Sequence, residues 1–273
     1  MSIRIWVNER ELEFPDGSDT DAVRQAVKPD ADLVIFNGFP AGQPQPLQSG
    51  DRVVLIRKGE LPPADEMEAL MVSRHTPGVH ERVKRACVGI AGLGGLGSAI
   101  AVALARVGVG RLILVDFDLV EPSNLNRQQY FVDQIGLYKV DALAANLARI
   151  NPYTRLTPYR LRLDASNIQA TFAGADVVVE AFDSAEAKAM LVSTVLSQIP
   201  GVPVVAGSGM AGYGSSNTIR THRARANLYV CGDLSTGARP GAGLMAPRVG
   251  ICAHHQANAV LRLLLGEDPT QAD

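Results

Sequence analysis

The chain has 273 residues, enough for one large domain or for a small one beside a medium one. Its residues are 47% hydrophobic and 20% charged, as in an ordinary globular protein, and a formal net charge of -2 offers no general attraction for nucleic acid or an anionic membrane. Cys87, Cys231 and Cys252 are too scattered for a disulfide framework, and without a C-x-x-C pair they exclude a four-cysteine zinc site, so no zinc is expected.

The first residues alternate and carry charge, unlike a signal peptide, and no apolar run is long enough to span a bilayer. A cytoplasmic location without membrane contact is therefore expected. Residues 1–58 read as a unit of their own. Residues 3–7 and 11–14 alternate as two strands of a hairpin joined at Asn8-Glu9-Arg10. Ser18 is placed to cap a helix over 19–27. Strands over 33–36, ending in an Asn37-Gly38 turn, and over 52–56 complete a β-β-α-β-β order, a small grasp-like α+β fold. Residues 59–70 are Pro-rich and acidic and read as a linker. Helical patterns follow at 67–72 and beyond Pro77, a residue tolerated at a helix start.

From residue 71 to 273 the pattern is α/β: a second domain with a mostly parallel, doubly wound sheet. Strands are expected at 87–91, 112–115, 175–179 and 202–206, and helices at 95–107, 140–150, 185–197 and 249–265, the last stopped by Gly266. The glycine-rich stretch 207–243 leaves room for two strands, at 217–220 and 227–230.

Gly92, Gly94 and Gly97 form G-x-G-x-x-G between a strand and a helix, the context in which a backbone turn and a helix N-terminus cradle phosphate or ribose. Gly95 lies in the same turn. Asp116 follows roughly 20 residues later, the spacing of a ribose-hydroxyl acceptor. Asp118 shares its face and reads as the start of a loop. There is no G-x-x-x-x-G-K-[ST], so cations must come from elsewhere. Arg127 lies in Ser123-Asn124-Leu125-Asn126-Arg127-Gln128, and Lys139 opens a helix, where its charge opposes the helix dipole unless a phosphate binds there. Taken singly, either is better read as a solvated surface charge. Asp183 follows an apolar strand; it suits a magnesium ion held jointly with phosphates, and equally a helix cap.

Taken in order, Gly92-Leu93-Gly94-Gly95-Leu96-Gly97, Asp116-Phe117-Asp118, Ser123 to Gln128, Gly136 to Lys139 and Phe182-Asp183 resemble the ThiF/MoeB family, relatives of ubiquitin-activating enzymes, over roughly residues 72–266. The resemblance implies a Rossmann-like sheet and adenylation by ATP and magnesium of the C-terminal glycine of a small sulfur carrier. It would give Asp116 the ribose, Asn124, Arg127, Gln128 and Lys139 the phosphates, and Asp183 the magnesium. Arg74 to His80 and Gly209 to Gly214 look most like a shorter ThiF branch tied to thiamine synthesis. Residues 1–58 resemble ThiS, the ubiquitin-like β-grasp carrier itself, but continue through Lys58-Gly59-Glu60 instead of ending in a free Gly-Gly carboxylate. The fused domain is therefore not expected to be a substrate; a separate ThiS-like carrier is the expected partner.

Some family members pass the carrier to a cysteine. Cys231, in the glycine-rich stretch, is the candidate here, though a packed thiol is the commoner role. Relatives commonly form homodimers in which an N-terminal arginine completes the neighbour's site, a part that Arg74, then Arg82, would take. The relatives' zinc-binding cysteine pairs are missing. Competing readings are a molybdopterin carrier as substrate, dehydration of a tRNA-bound carboxylate, a nicotinamide oxidoreductase, and a non-catalytic carrier-binding scaffold. The near-neutral charge speaks against tRNA, and hydride transfer would leave Asn124 to Gln128 and Lys139 without a task.

Overall fold

A computed structural model describes every residue except Met1, Glu9, Pro62, Pro63, Pro77, Ala272 and Asp273, and leaves out the side chains of Ala64, Asp65 and Ala69. The expected turn at Glu9, the linker prolines Pro62 and Pro63 and the helix start at Pro77 lie outside the described residues. The chain divides into two units, Met1–Glu81 and Arg82–Asp273.

In the first unit, β1 (Ser2–Val7) and β2 (Arg10–Pro15) form the expected hairpin, with Ile5 opposite Leu12. The next elements are α1 (Thr20–Val27), β3 (Leu33–Phe36), the two-residue β4 (Phe39–Pro40) and β5 (Arg52–Ile56). The sheet order is β2-β1-β5-β3-β4, with β1 and β5 parallel, so the β-grasp order holds with β4 as an addition. Alternation puts Ile3, Ile5, Val7, Val53 and Leu55 on the face that packs against Val23 of α1. The cap of α1 is Asp19, whose Oδ1 accepts from Ala22 N at 2.8 Å; Ser18, the expected cap, donates its hydroxyl back to Pro15 O at 2.7 Å. Asn37 and Gly38 turn with φ of 49° and 88°, as a two-residue hairpin turn requires.

Helix α2 (Ala64–Val72) begins inside the stretch expected as a linker, and α3 spans Val79–Val83. On the sheet face away from α1, Ile35 and Val54 are buried. Asn8 Nδ2 donates to Glu66 Oε2 of α2 at 3.2 Å, and a Cβ on Gly38 would meet His75 O at 2.7 Å, so the 64–81 stretch lies close to this unit's backbone. Beyond β5 the chain bends instead of running out: Gly59 has φ 77°, Glu60 N donates to Arg57 O at 3.4 Å, and the Glu60 carboxylate pairs with Lys28 at 2.7 Å.

The second unit is built on β6 (Cys87–Ala91), α4 (Gly95–Arg106), β7 (Arg111–Asp116), α5 (Lys139–Ile150), β8 (Arg155–Arg160), α6 (Ile168–Thr171), β9 (Val177–Glu180), α7 (Ala185–Gln198), β10 (Val204–Gly207), β11 (Arg220–Arg225), β12 (Leu228–Gly232) and α8 (Ala246–Leu264). The seven strands lie in the order β11-β12-β10-β9-β6-β7-β8, and only β11 runs antiparallel to its neighbour. Helices α4, α5 and α8 cover one face. Ile168, Phe172, Leu191 and Val195 from α6, the residue after it and α7 pack on the other, against Ile113 and Val178. The sheet is thus doubly wound.

The chain order reverses at β6, which has β7 on one side and β9 on the other, so a crevice opens at the carboxyl ends of these strands. Two details depart from expectation. Edge strand β8 was not anticipated, since its Arg155-Leu-Thr-Pro-Tyr-Arg160 carries Pro158 and largely exposed side chains, features of an edge position. Strand β11 starts only at Arg220, because Ser216–Thr218 form a 3-10 turn. Among the described residues no helix is long and apolar enough to cross a membrane.

Candidate functional site

The G-x-G-x-x-G turn closes as its spacing implies. Gly92 has φ 88°, and a Cβ there would come within 2.9 Å of Ala181 O; one on Gly97 would overlap the Gly92 carbonyl. These glycines let α4 start directly against the ends of β6 and β9. Gly94 is the N-cap of α4 and caps it with no side chain, leaving first-turn N–H groups toward the crevice. Gly95 is open on one side only, since a Cβ would touch Val249 Cγ1 at 3.0 Å.

Asp116 ends β7 and is nearly buried; its Oδ2 accepts from Leu93 N at 2.7 Å and its Oδ1 from Asp118 N at 2.8 Å. Burial pushes its carboxyl above the usual range, against the pull of those two N–H donors and of Lys139. Asp118 does more than begin a loop: its Oδ2 takes the Lys139 ammonium at 2.9 Å, and its carbonyl takes Lys139 N at the same distance. Lys139 is buried, so it is not a solvated surface charge; the carboxylate of Asp118 offsets the cost of its cation at the start of α5.

Arg127 leans its aliphatic stem over Gly95 and donates to Ser123 O and Asn126 Oδ1 at 3.2 and 2.8 Å. Gln128 is buried with its Oε1 unpartnered, and its Nε2 lies by Gly94. Asn124 is bonded within its own loop. Its Oδ1 accepts from Glu121 N at 3.0 Å, its carbonyl accepts from Gln128 N at 2.9 Å, and it does not line the cavity. Asn124 therefore shapes the loop that carries Arg127 and Gln128.

Asp183 is exposed at the end of β9, and Ser184 takes the cap of α7, its Oγ accepting from Ala187 N at 3.3 Å. The cap reading thus belongs to Ser184. Cys231 lies in β12 and is wholly buried, in keeping with the commoner role of a packed thiol, and burial pushes its thiol up to about 11. A thiol there cannot receive a carrier without opening the sheet. Cys87 and Cys252 are buried as well. Arg74 is exposed and belongs to the first unit.

Gly92, Gly94, Gly95, Asp116, Arg127, Gln128, Lys139 and Asp183 line one cavity of about 470 Å³ at the strand ends. Other lining groups escaped sequence reasoning. Leu161 to Leu163 follow the unanticipated β8, and Arg162 lies over the Phe117 ring at 5.7 Å. Thr236 to Ala238 come from a loop held by a buried ion pair, Arg248 to Asp233 at 2.5 Å. Lys188 also lines the cavity and pairs with Glu180. The one signal for Glu180 was a carboxylate ending an all-apolar strand. A broader depression of about 590 Å³ follows α8 past Gly250, Ile251 and His254, but gathers no carboxylate, lysine or arginine.

Sheet, glycine turn and strand-end cavity define the class: a Rossmann-like α/β domain preceded by a β-grasp domain. The ThiF family model matches residues 68–273, and the ThiS-like ubiquitin model matches residues 3–59. The molybdopterin-synthase adenylyltransferase of Salmonella typhimurium is 35% identical over 189 residues, covering 67% of this chain and 75% of that protein. The SAMP-activating enzyme E1 of Haloferax volcanii is 37% identical over 131 residues, 48% of each chain. Among solved structures, the E. coli tRNA N6-threonylcarbamoyladenosine dehydratase in complex with ATP superposes with a TM-score of 0.66 at 22% identity, over 72% of this chain and 92% of that one. The chain belongs to the ThiF family and is an adenylyltransferase of its ubiquitin-activating-enzyme-like kind.

Proposed function

We propose that this chain uses ATP to adenylate the C-terminal glycine of a separate ubiquitin-like sulfur carrier, releasing pyrophosphate. The observation that carries this reading is the convergence on one cavity of the α4 N-terminal turn, Asp116, the Asp118–Lys139 pair, Arg127, Gln128 and Asp183. Asp116 suits the ribose, and the free N–H groups of α4 suit a phosphate. A terminal carboxylate with an ordinary pKa of ~3.5 is already ionised at neutral pH, so no general base is needed. One carboxylate oxygen forms a bond to the α-phosphorus while the α–β anhydride bond breaks, and the electron pair leaves with pyrophosphate.

Catalysis is then positioning and charge stabilisation. Arg127 can turn from its neighbours' oxygens to the phosphates, and Lys139 adds positive potential from below Asp118. An exposed carboxylate facing the phosphate region fits an oxygen-liganded magnesium, so Asp183 would hold that ion; it would neutralise phosphate oxygens. We read the working form as a cytoplasmic homodimer, with Arg74 of one copy serving the site of the other.

For the carrier we propose a ThiS-like protein in thiazole sulfur transfer, because the chain's own first domain is of that type. The 35% identity to molybdopterin-synthase adenylyltransferases supports a molybdopterin-synthase carrier as the second reading. The test is incubation with ATP, magnesium and each carrier in turn, with the acyl-adenylate sought by mass spectrometry. Absence of the adduct with every Gly-Gly-ended carrier would sink the proposal, as would unchanged carrier-dependent ATP–pyrophosphate exchange in Arg127→Ala or Asp183→Ala.

A further inference from the structure

Two charged groups at the cavity have no part in the chemistry above. Glu180 closes β9 with its side chain wholly buried, and Lys188 lies one turn into α7 with its ammonium beside that carboxylate. Their bonds reach two lining segments, one after each of the adjacent strands β9 and β10. Glu180 Oε1 accepts from Phe182 N at 2.7 Å, and so fixes the turn that presents Asp183. Glu180 Oε2 takes the Lys188 ammonium, and the same ammonium donates to Gly207 O at 2.8 Å, where the cavity-lining Gly207–Met210 stretch begins at the end of the neighbouring strand β10. From α8, Gln256 Nε2 donates to Glu180 O and Val205 O at 3.1 and 3.3 Å, which locks the backbone of β9 and β10 beneath the pair.

Burial raises the Glu180 carboxyl above the usual range, and Lys188, the Phe182 N–H and the Gly207 N–H pull it back. A buried ion pair is a poor source of stability, because well-packed apolar residues of similar volume commonly do as well or better. What an apolar pair cannot do is hold Phe182 N and Gly207 O at once. Asp183 is exposed, and Ser184 does the capping beside it, so the placement of Asp183 depends on that turn.

We propose that Glu180, anchored by Lys188, is a positioning residue that sets the Asp183 turn and the Gly207–Met210 segment, which follow adjacent strands, at a fixed spacing along the nucleotide cavity. The proposal rests on the adenylation reading, in which Asp183 meets magnesium together with the phosphates. Glu180 is buried behind the cavity lining, so its effect passes through Asp183.

The experiment is titration calorimetry of ATP binding to the full chain, with magnesium and with EDTA, beside thermal melting. The variants are Glu180→Leu/Lys188→Met and Lys188→Arg. The double variant is expected to melt near the wild-type temperature and to bind ATP in EDTA as wild type does. It should lose about 10- to 100-fold of the affinity gained from magnesium, the usual scale for an outer-shell partner of a metal ligand. Lys188→Arg, which keeps the charge and its donors, should retain most of that gain. A double variant with the wild-type magnesium gain overturns the proposal. So does one that weakens equally with and without magnesium, since that marks general loosening or direct contact of Lys188 with the nucleotide. If the double variant does not fold, Glu180→Gln takes its place: a several-fold loss of the gain supports the proposal and an unchanged gain overturns it. Wild-type protein that binds no ATP overturns the adenylation reading and this inference together, whereas wild-type binding with an unaffected variant overturns this inference alone.

Discussion

Asp183 and Gly97 lie at opposite ends of what a single residue can decide. Asp183 is exposed and its neighbour Ser184 supplies the helix cap, so Asp183→Ala is expected to leave the melting temperature nearly unchanged. It should lower carrier-dependent ATP–pyrophosphate exchange by roughly 100-fold; equal exchange rates in the two proteins would remove Asp183 from the site. Gly97→Ala forces a methyl group into the Gly92 carbonyl, where backbone must shift. An overpacked position of this kind costs about 1–3 kcal/mol, or a fall of several degrees in melting temperature for a unit of this size. The glycines were legible in the sequence because their constraint is local: a strand, a turn and a helix within a few residues. The loop role of Asn124 was not legible for a related reason, since a short polar side chain can serve its own loop as readily as a ligand. Beyond the carboxylate that ends an apolar strand, Glu180 and Lys188 were illegible as a pair, because their shared bonds to Phe182 and Gly207 exist only once β10 lies beside β9. Cys231 gives a further prediction. All three thiols are buried, with Cys231 raised to about 11 and Cys252 to about 12, so the native protein should show no fast-reacting thiol toward a disulfide reagent at pH 8 until denaturant is added.

At the scale of elements, the strands buried on both faces announced themselves through runs such as Val177-Val178-Val179, whereas the two edges did not. Strand β8 hides behind Pro158, and β11 behind the exposed arginines Arg220, Arg223 and Arg225, which also discourage pairing with a stray strand. Missing β8 meant missing the cavity wall that follows it. The long loop between β12 and α8 is likewise irregular in sequence, yet Asp233 organises it by accepting from Ser235, Thr236 and Arg248. Burial works against the charge on Asp233, but the Thr236 and Ser235 donors and the Arg248 guanidinium outweigh it and hold the carboxyl well below the usual carboxylate range. A carboxyl lowered in the folded state contributes stability that is complete above its unfolded value of about 4 and is lost as pH falls through the lowered value. Asp233→Asn should therefore melt below wild type by a constant margin from pH 8 to pH 5, and the margin should close only below about pH 4. A margin that closes near neutrality would show that the Asp233 carboxyl is not depressed.

For the whole molecule, the division into a β-grasp unit and a doubly wound unit follows from a change of period along the chain, two-residue alternation giving way to alternating strands and helices. What the change of period could not reveal is that the chain after β5 keeps close to the first unit, through α2 and the 64–81 stretch. If the adenylation reading is right, the protein incubated with ATP, magnesium and no separate carrier should form no adduct on itself and show no pyrophosphate exchange. A mass increase of one AMP on the intact chain would contradict this, because the glycine at position 59 lies in mid-chain and has no carboxylate to offer.

The bend at Gly59, tied down by Glu60 and Lys28, has a consequence for competition. A module on a short flexible linker that can span to its site acts at an effective concentration in the millimolar range, far above that of most free proteins. On the adenylation reading, an extended carrier tail on such a linker would compete with a separate carrier. With the chain bent back at Gly59 and Glu60 held by Lys28, the first domain keeps the carrier's body without a carrier's free, extended tail.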